Sequence, residues 1–298
     1  MASLRDIRKH IKSVKNIKQI TYAMKMVSAA RIKKAQSAIL SSRPFALKME
    51  GLIADLYSEL DSEEFKNARA YALFAERPRA GTRGLVLVAG DKGLCGSFNS
   101  NLLKAAAAWL KENRGEKMKI ICVGRKSRDF IKRLKGLDLE ITYEMVGIFP
   151  KAGYVHAELL TGKILELFSG PEVRGVSLIY NEFKSMLSQR VVRTELLPLR
   201  QNLLAAVGGG KLKDFAFEPE RKPLLETLLP RYVGAQVYRV LLESQAAELA
   251  ARMNAMEAAS KNASELIDGL TLRLNKMRQT MITTELSEIV SGAEALGG

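Results

Sequence analysis

Two cysteines, two histidines and one tryptophan are all that 298 residues supply. Cys95 and Cys122 lie far apart and each has apolar neighbours, which predicts two reduced, part-buried thiols in a reducing compartment. His10 and His156 give no metal-ligand spacing, and no histidine stands near Cys95 to activate it as a nucleophile. No apolar run reaches the roughly 18 residues a membrane span needs, and no apolar core marks a secretory signal. Proline is missing after Pro230, glycine between Gly234 and Gly269, and acid between Ile7 and Met49. These last gaps leave both ends of the chain free to be long helices, the first of them basic.

At 47% hydrophobic and 27% charged, the composition is that of a folded chain of one or two domains. The formal charge of +15 is uneven: residues 1–58 carry 12 Lys/Arg against 3 Asp/Glu, and residues 218–298 carry 9 against 11. A basic helix beside a nearly neutral one suits nucleic acid, anionic lipid or an acidic protein surface. The basic, acid-poor start is also compatible with a mitochondrial presequence, but the helical pattern continues past Lys34, so a mature N-terminus is expected.

From about Glu218 to Leu296 strong helix formers dominate. Val233, Val237, Val240, Ser244, Ala247 and Ala251, then Leu266, Leu270, Leu274, Met277 and Met281, recur at three- and four-residue steps and ask for a partner helix. Such a helix is roughly 100 Å long, more than a compact domain can hide. Met1 to Tyr57 reads as its partner, with Ile7, Ile11, Val14, Ile17, Ile20, Met24 and Val27 on the apolar face. Ser41-Ser42-Arg43-Pro44 predicts a kink or restart. Coming from opposite chain ends, the two helices are expected to pair antiparallel.

Between them the pattern alternates. Strands are predicted at Arg83–Gly90, Met118–Val123, Leu139–Glu144, Gly175–Tyr180 and Arg190–Leu197, and helices at Phe98–Arg114, Lys126–Leu134 and Tyr154–Phe168. This implies a Rossmann-like α/β domain with a mostly parallel sheet, its last two strands antiparallel because the link between them is short. Leu199–Phe217, with Gly208-Gly209-Gly210, reads as a loop. The expected division is 1–58, 59–217 and 218–298.

Gly90 to Ser97 sits where phosphate loops sit, yet it lacks both the Gly-Lys-Ser/Thr ending and the Gly-x-Gly-x-x-Gly spacing. Gly124-Arg125-Lys126-Ser127 is half such a loop without its upstream glycine, and a structural turn is the expectation for both. Asp91 and Asp129 have no carboxylate partner in sequence for acid–base work. No catalytic, cofactor or metal constellation emerges. The basic helix has Tyr22 as its only aromatic before Phe45, so no base-stacking platform forms. A membrane-surface role fits its charge, but its apolar stripe is needed by the partner helix. A nucleotide-binding α/β protein with coiled-coil arms and a basic coiled-coil adaptor remain as alternatives.

Ile20–Arg31 (ITYAMKMVSAAR), Gly90–Asn99 (GDKGLCGSFN), Tyr180–Ser185, Glu243–Ala263 and, most specifically, Arg278–Ala293 (RQTMITTELSEIVSGA) together resemble the γ-subunit family of F-type ATP synthases, whose members form the central rotor shaft. These segments occur in family order along the whole chain. The resemblance implies a coil standing inside a ring of three α and three β subunits, and a globular part that binds ε and the membrane ring of c subunits. It implies no nucleotide chemistry on the chain itself. Met24, Arg252, Arg278, Gln279, Thr283 and Glu285 match the positions that couple rotation to the β sites, Arg278 and Gln279 being the pair that engages a catch loop of β. Glu218 and the Phe215–Pro219 loop match the region that faces ε and the ring. The basic first helix suits the acidic loop that β subunits of the family present. The small residues Ala246, Ala247, Ala250, Ala251, Ala258 and Ala259 allow a slim helix pair, or simply favour helix. Chloroplast members carry an inserted loop with a regulatory cysteine pair, which this chain lacks. Thiol control of that kind is therefore not expected, and the expected absence of a presequence points to a bacterial enzyme, peripheral on the cytoplasmic side of the inner membrane.

Overall fold

A computed structural model describes residues 3–59, 69–74, 77, 81–199 and 220–296. The first helix, α1, runs over Leu4–Glu59, and a short 3-10 turn, Arg69–Leu73, follows. Then come β1 (Thr82–Val88), α2 (Phe98–Glu112), β2 (Met118–Val123), α3 (Arg125–Ile131), β3 (Leu139–Met145), α4 (Tyr154–Ser169), β4 (Val173–Phe183), β5 (Gln189–Leu197) and α5 (Arg221–Leu296). The strands form one sheet in the order β3-β2-β1-β4-β5. β1, β2, β3 and β4 are parallel to their neighbours, and β5 is antiparallel to β4.

The described chain divides into two units, one made of Met1–Ser28 with Arg252–Gly298 and the other of Ala29–Ala251. In the second unit both sheet faces are buried, which is why β1 and β2 read as unbroken apolar runs. Leu85, Leu87, Ala89, Ile120 and Cys122 point to α2, meeting Leu102, Ala106, Trp109 and Leu110. On the other face Val86, Val88, Ile121, Val123 and Leu178 meet α4 and both long helices, through Ile53 and Leu56 of α1 and Leu229, Val233, Val237 and Val240 of α5. Each such side chain contributes about 1.5–3 kcal/mol on burial, so this stretch of the long helices is part of the domain core. Gly124, at the end of β2, has φ +86°, and a Cβ there would lie 2.0 Å from the Ala89 carbonyl oxygen. Only glycine lets the ends of β1 and β2 come this close.

Three expectations need correction. Of the kink or restart expected at Pro44, the restart does not occur, since α1 runs through it as one helix. The lost backbone donor falls on an exposed face, where water can serve the freed carbonyl, and the Ser41 and Ser42 hydroxyls donate back to the Ala38 and Ile39 carbonyls at 3.0 and 2.9 Å. β4 continues past Tyr180 to Phe183, because Asn181, Glu182 and Phe183 pair with Val191, Arg190 and Gln189. Of what reads as a nine-residue link, 181–183 and Gln189 belong to the ladder, and only 184–188 form the turn. α3 stops at Ile131, and Lys132–Leu134 turn back on the carbonyls of Arg128, Phe130 and Ile131. The loop expected at Leu199–Phe217 lies, apart from Leu199, outside the described residues.

Candidate functional site at the paired termini

In the first unit α1 buries Ile7, Val14, Thr21 and Ser28, with Ile11, Lys18 and Lys25 half-buried between them. The steps alternate four and three, the heptad of a coiled-coil seam. α5 matches it: Met256 and Ala263 are buried, and Ser260, Ile267, Leu270, Leu274 and Met277 are half-buried. Lys18 Nζ donates to Ser264 Oγ at 3.0 Å, and Lys25 Nζ to Glu257 Oε1 at 2.6 Å. The two ties are seven residues apart on each helix and run in opposite chain sense, so the pairing is antiparallel.

The seam is not the stripe that the apolar pattern predicts. Ile17, Ile20 and Val27 are 50, 60 and 49% exposed, as are Leu266 and Met281 at 47 and 46%. After Val14 the aliphatic steps depart from the four-three alternation and turn outwards. Thr21 and Ser28 fill the seam instead, small enough for close approach. Thr21 needs no partner across the seam, because its hydroxyl donates to the Ile17 and Lys18 carbonyls at 2.9 and 3.0 Å. Of the alanines, Ala246, Ala247 and Ala250 are buried in the second unit, whereas Ala258 is exposed.

By this register Leu4, where α1 begins, lies level with residue 278. From Arg278 to Ala293 every residue of α5 is exposed. Met281, Ile282, Leu286, Ile289 and Val290 are among them. At 100° per residue, Ile282, Leu286, Ile289 and Val290 fall on one side of the helix, interleaved with Arg278, Gln279, Thr283 and Glu285. The other side carries Thr280, Thr284, Ser287 and Ser291. Thr280, Thr283 and Thr284 donate to the carbonyls of Lys276, Gln279 and Thr280 at 3.1, 2.9 and 2.9 Å. An apolar face ringed by polar side chains is the form of a surface awaiting a partner.

The sequence-predicted residues thus fall in two groups. Arg278, Gln279, Thr283 and Glu285 share this end of α5. Met24, half-buried beside the seam, lies about level with residue 258, within roughly two turns of half-buried Arg252. Arg252 is 26 residues from Arg278, roughly 40 Å along the helix. Glu218 and the Phe215–Pro219 segment lie outside the described residues. On α1, Arg5, Arg8, Lys9, Lys12 and Lys15 are exposed. The lone acid among them, Asp6, caps the helix start by accepting from Ser3 N and Oγ at 3.1 and 2.9 Å, which holds its carboxyl below the usual range.

The loops after β1 and β2, the places to look for a phosphate cradle, have internal occupants. Asp91 is buried, and its carboxylate accepts from Arg125 N at 2.9 Å, Gly147 N at 2.8 Å and Phe149 N at 3.1 Å. The first amide of α3 is therefore already bound to an internal anion. Ser127 Oγ turns inwards to the Val123 and Gly124 carbonyls at 2.8 and 2.7 Å. Asp129 pairs with Arg128 at 2.7 Å. Burial pushes the Cys122 thiol up to about 12, which leaves it without thiolate character at neutral pH. Among the described residues no cluster of His, Cys, Asp and Glu could hold a metal ion, and no helix is long and apolar enough to cross a membrane. Sequence reasoning passes over Gln245 and Glu248, both buried on α5. Their residue types are common on any solvated helix, and only the apolar positions around them hint that this face turns inwards.

A family model described as ATP synthase matches residues 3–296. The ATP synthase gamma chain of Elusimicrobium minutum is 45% identical over 302 residues, covering 99% of each chain. That of Anaeromyxobacter sp. strain Fw109-5 is 45% identical over 298 residues, covering 99% of this chain and all of its own. The chain belongs to the ATP synthase gamma family. Among solved structures, a chain in the central stalk and c-ring of the Tetrahymena thermophila mitochondrial ATP synthase is 30% identical, with a TM-score of 0.59 over 81% of this chain and 99% of that one. A chain of the Euglena gracilis mitochondrial enzyme, 19% identical with a TM-score of 0.64 over 98% of this chain and 94% of that one, shares the fold. The antiparallel helix pair and the mostly parallel sheet are thus the architecture of this family.

Proposed function

We propose that the chain is the central-stalk rotor subunit of a proton-translocating F-type ATP synthase, coupling rotation of the membrane ring to conformational cycling of the β catalytic sites. The observation that carries this reading is the end of α5. Sixteen consecutive exposed residues present aliphatics beside Arg278, Gln279, Thr283 and Glu285, in a chain that matches the family from end to end. A shaft of this kind acts by differential contact: each orientation favours one β conformation over another. The seam supplies stiffness, and exposed Arg5, Arg8, Lys9, Lys12 and Lys15 supply screened attraction to an acidic β loop, which permits sliding.

The partners in this reading are three α and three β subunits, ε, and the ring of c subunits. The chain has no catalytic site and no cofactor of its own, and it is held at the cytoplasmic face of a bacterial inner membrane through the complex. Met24 and Arg252 act with the α5 end where the helices meet β, and Glu218 acts at the foot. Residues 1–58 and 218–298 serve as the shaft and 59–217 as the base.

Affinity purification of the tagged chain from its host tests this: α, β and ε are expected to accompany it in stoichiometric yield. Recovery with RNA and without α and β would instead support the adaptor alternative. The nucleotide-binding alternative predicts micromolar ATP binding by the isolated chain in equilibrium dialysis. Asp91 at the start of α3 and the inward turn of Ser127 argue for none.

A further inference from the structure

Open sheets with parallel strands take their ligands in the crevice beyond the carboxyl ends of the strands. Here part of that edge is filled by α5. Gln245, 9% exposed, accepts a hydrogen bond from Ala152 N at 2.9 Å, at the far end of the loop after β3. Glu248, 2% exposed, follows three residues later on the same side of the helix. Its carboxylate packs on Gly90, at the start of the loop after β1. A Cβ on Gly90 would lie 3.0 Å from Glu248 Oε1 and 3.2 Å from Asn99 Oδ1, which itself accepts from Gly90 N at 3.0 Å. The two loops are also joined to each other, since Asp91 of the first accepts from Gly147 and Phe149 of the second. One turn of α5 therefore meets two loops that Asp91 binds into a single body, Gln245 through a hydrogen bond and Glu248 through close packing on Gly90.

We propose that Gln245 and Glu248 are positioning residues forming the joint through which torque passes between the sheet domain and α5. The inference rests on the rotor reading above. Apolar contacts are non-directional and tolerate small rotations, so the valines and leucines that dock α5 on the sheet hold it in place without fixing its angle. Hydrogen bonds are directional, and the bond from Ala152 N to Gln245 fixes an angle that apolar packing leaves free, because a buried polar group that leaves its partner loses water and protein alike. A polar grip in an otherwise apolar interface sets the angle of the helix against the sheet, and the glycine at position 90 is what lets the carboxylate come close enough.

The test uses the assembled, membrane-bound complex carrying Gln245→Leu with Glu248→Leu, which keeps side-chain volume and removes the polar grip. ATP hydrolysis is expected to stay within about twofold of the natural chain, because turnover is set at the far end of α5. Protons pumped per ATP are expected to fall at least threefold. Glu248→Gln alone, equal in size and able to hydrogen-bond, is expected to keep the natural ratio. An unchanged ratio in the double variant overturns the proposal, as does a parallel fall of hydrolysis and pumping, the mark of a merely structural role. So does a Glu248→Gln chain as uncoupled as the double variant. Should the double variant fail to assemble, hydrogen exchange on the full-length chain decides. Amides 240–251 are expected to exchange at least tenfold faster while β1 and β2 stay protected, and unchanged exchange overturns the joint. A natural chain that neither co-purifies with α and β nor pumps protons removes the rotor reading and leaves the exchange result to stand for the grip itself.

Discussion

Glu243 lies on the face of α5 that meets β4, close to the Tyr180 hydroxyl and 3.8 Å from the Arg239 guanidinium. Burial raises its carboxyl above the ordinary range, an effect that Arg239 and Tyr180 only partly offset. Burial, with the neighbouring Glu243 charge, pushes Tyr180 up to about 12. A raised carboxyl costs stability when it must ionise. The folded chain is best served below the unfolded Glu pKa of about 4.3, and stability is lost as pH rises through the folded value. Glu243→Gln should therefore stabilise the chain at pH 8 and leave it nearly unchanged at pH 4, as read from urea midpoints across that range. Arg278 and Glu285 are exposed, so removing either leaves the fold intact. In the assembled enzyme, Arg278→Ala should lower proton-driven ATP synthesis about tenfold, the scale of one lost charge-assisted contact. Glu285→Ala should lower it less. Equal synthesis in both variants, with unchanged circular dichroism, would remove these residues from the coupling set. Nothing in their own chemistry marks them out. An exposed Arg and an exposed Glu on a helix are ordinary, and only the resemblance of their segment to a family singles them out.

At the scale of elements, what the sequence made legible was periodicity, and what it hid was phase. β1 and β2, buried on both faces, announce themselves as apolar runs, and the antiparallel β4–β5 pair follows from a link too short for a crossover. The seam of the helix pair was harder. Its contact positions include Lys18, Thr21, Lys25 and Ser28, polar types that an apolar count discards, while Ile17, Ile20 and Val27 point away. The four-three alternation through Ile7, Ile11 and Val14 was the available signal, and extending it past Val14 would have led to Thr21. The polar grip of Gln245 and Glu248 had no such signal. Pro44 misled in the opposite direction, since helix continuity there is maintained by the turns on either side. Pro44→Ala should restore a backbone donor within α1 and raise its stability, by at most about 3 kcal/mol on the propensity scale. Reduced restriction of the unfolded chain would offset about 0.4–1 kcal/mol of that. A lower urea midpoint in this variant would show that the fold needs the proline.

Taken whole, the molecule leaves many apolar side chains bare along its two long helices. Ile17, Ile20, Tyr22, Met26 and Val27 on α1 and Ile282, Leu286, Ile289 and Val290 on α5 are all about half exposed or more, and burying each would contribute about 1.5–3 kcal/mol. The isolated full-length chain should therefore self-associate at micromolar concentration despite its charge of +15. Adding α and β should convert it to a single larger species in sedimentation velocity, whereas a monodisperse free monomer would contradict this. The Lys18–Ser264 and Lys25–Glu257 ties work like the marks of a vernier. Sliding one strand of the pair by a full repeat towards its C-terminus or its N-terminus would line up one lysine with a polar partner and strand the other group opposite an aliphatic. A slipped shaft, longer or shorter by about 10 Å, is thereby made the costlier assembly.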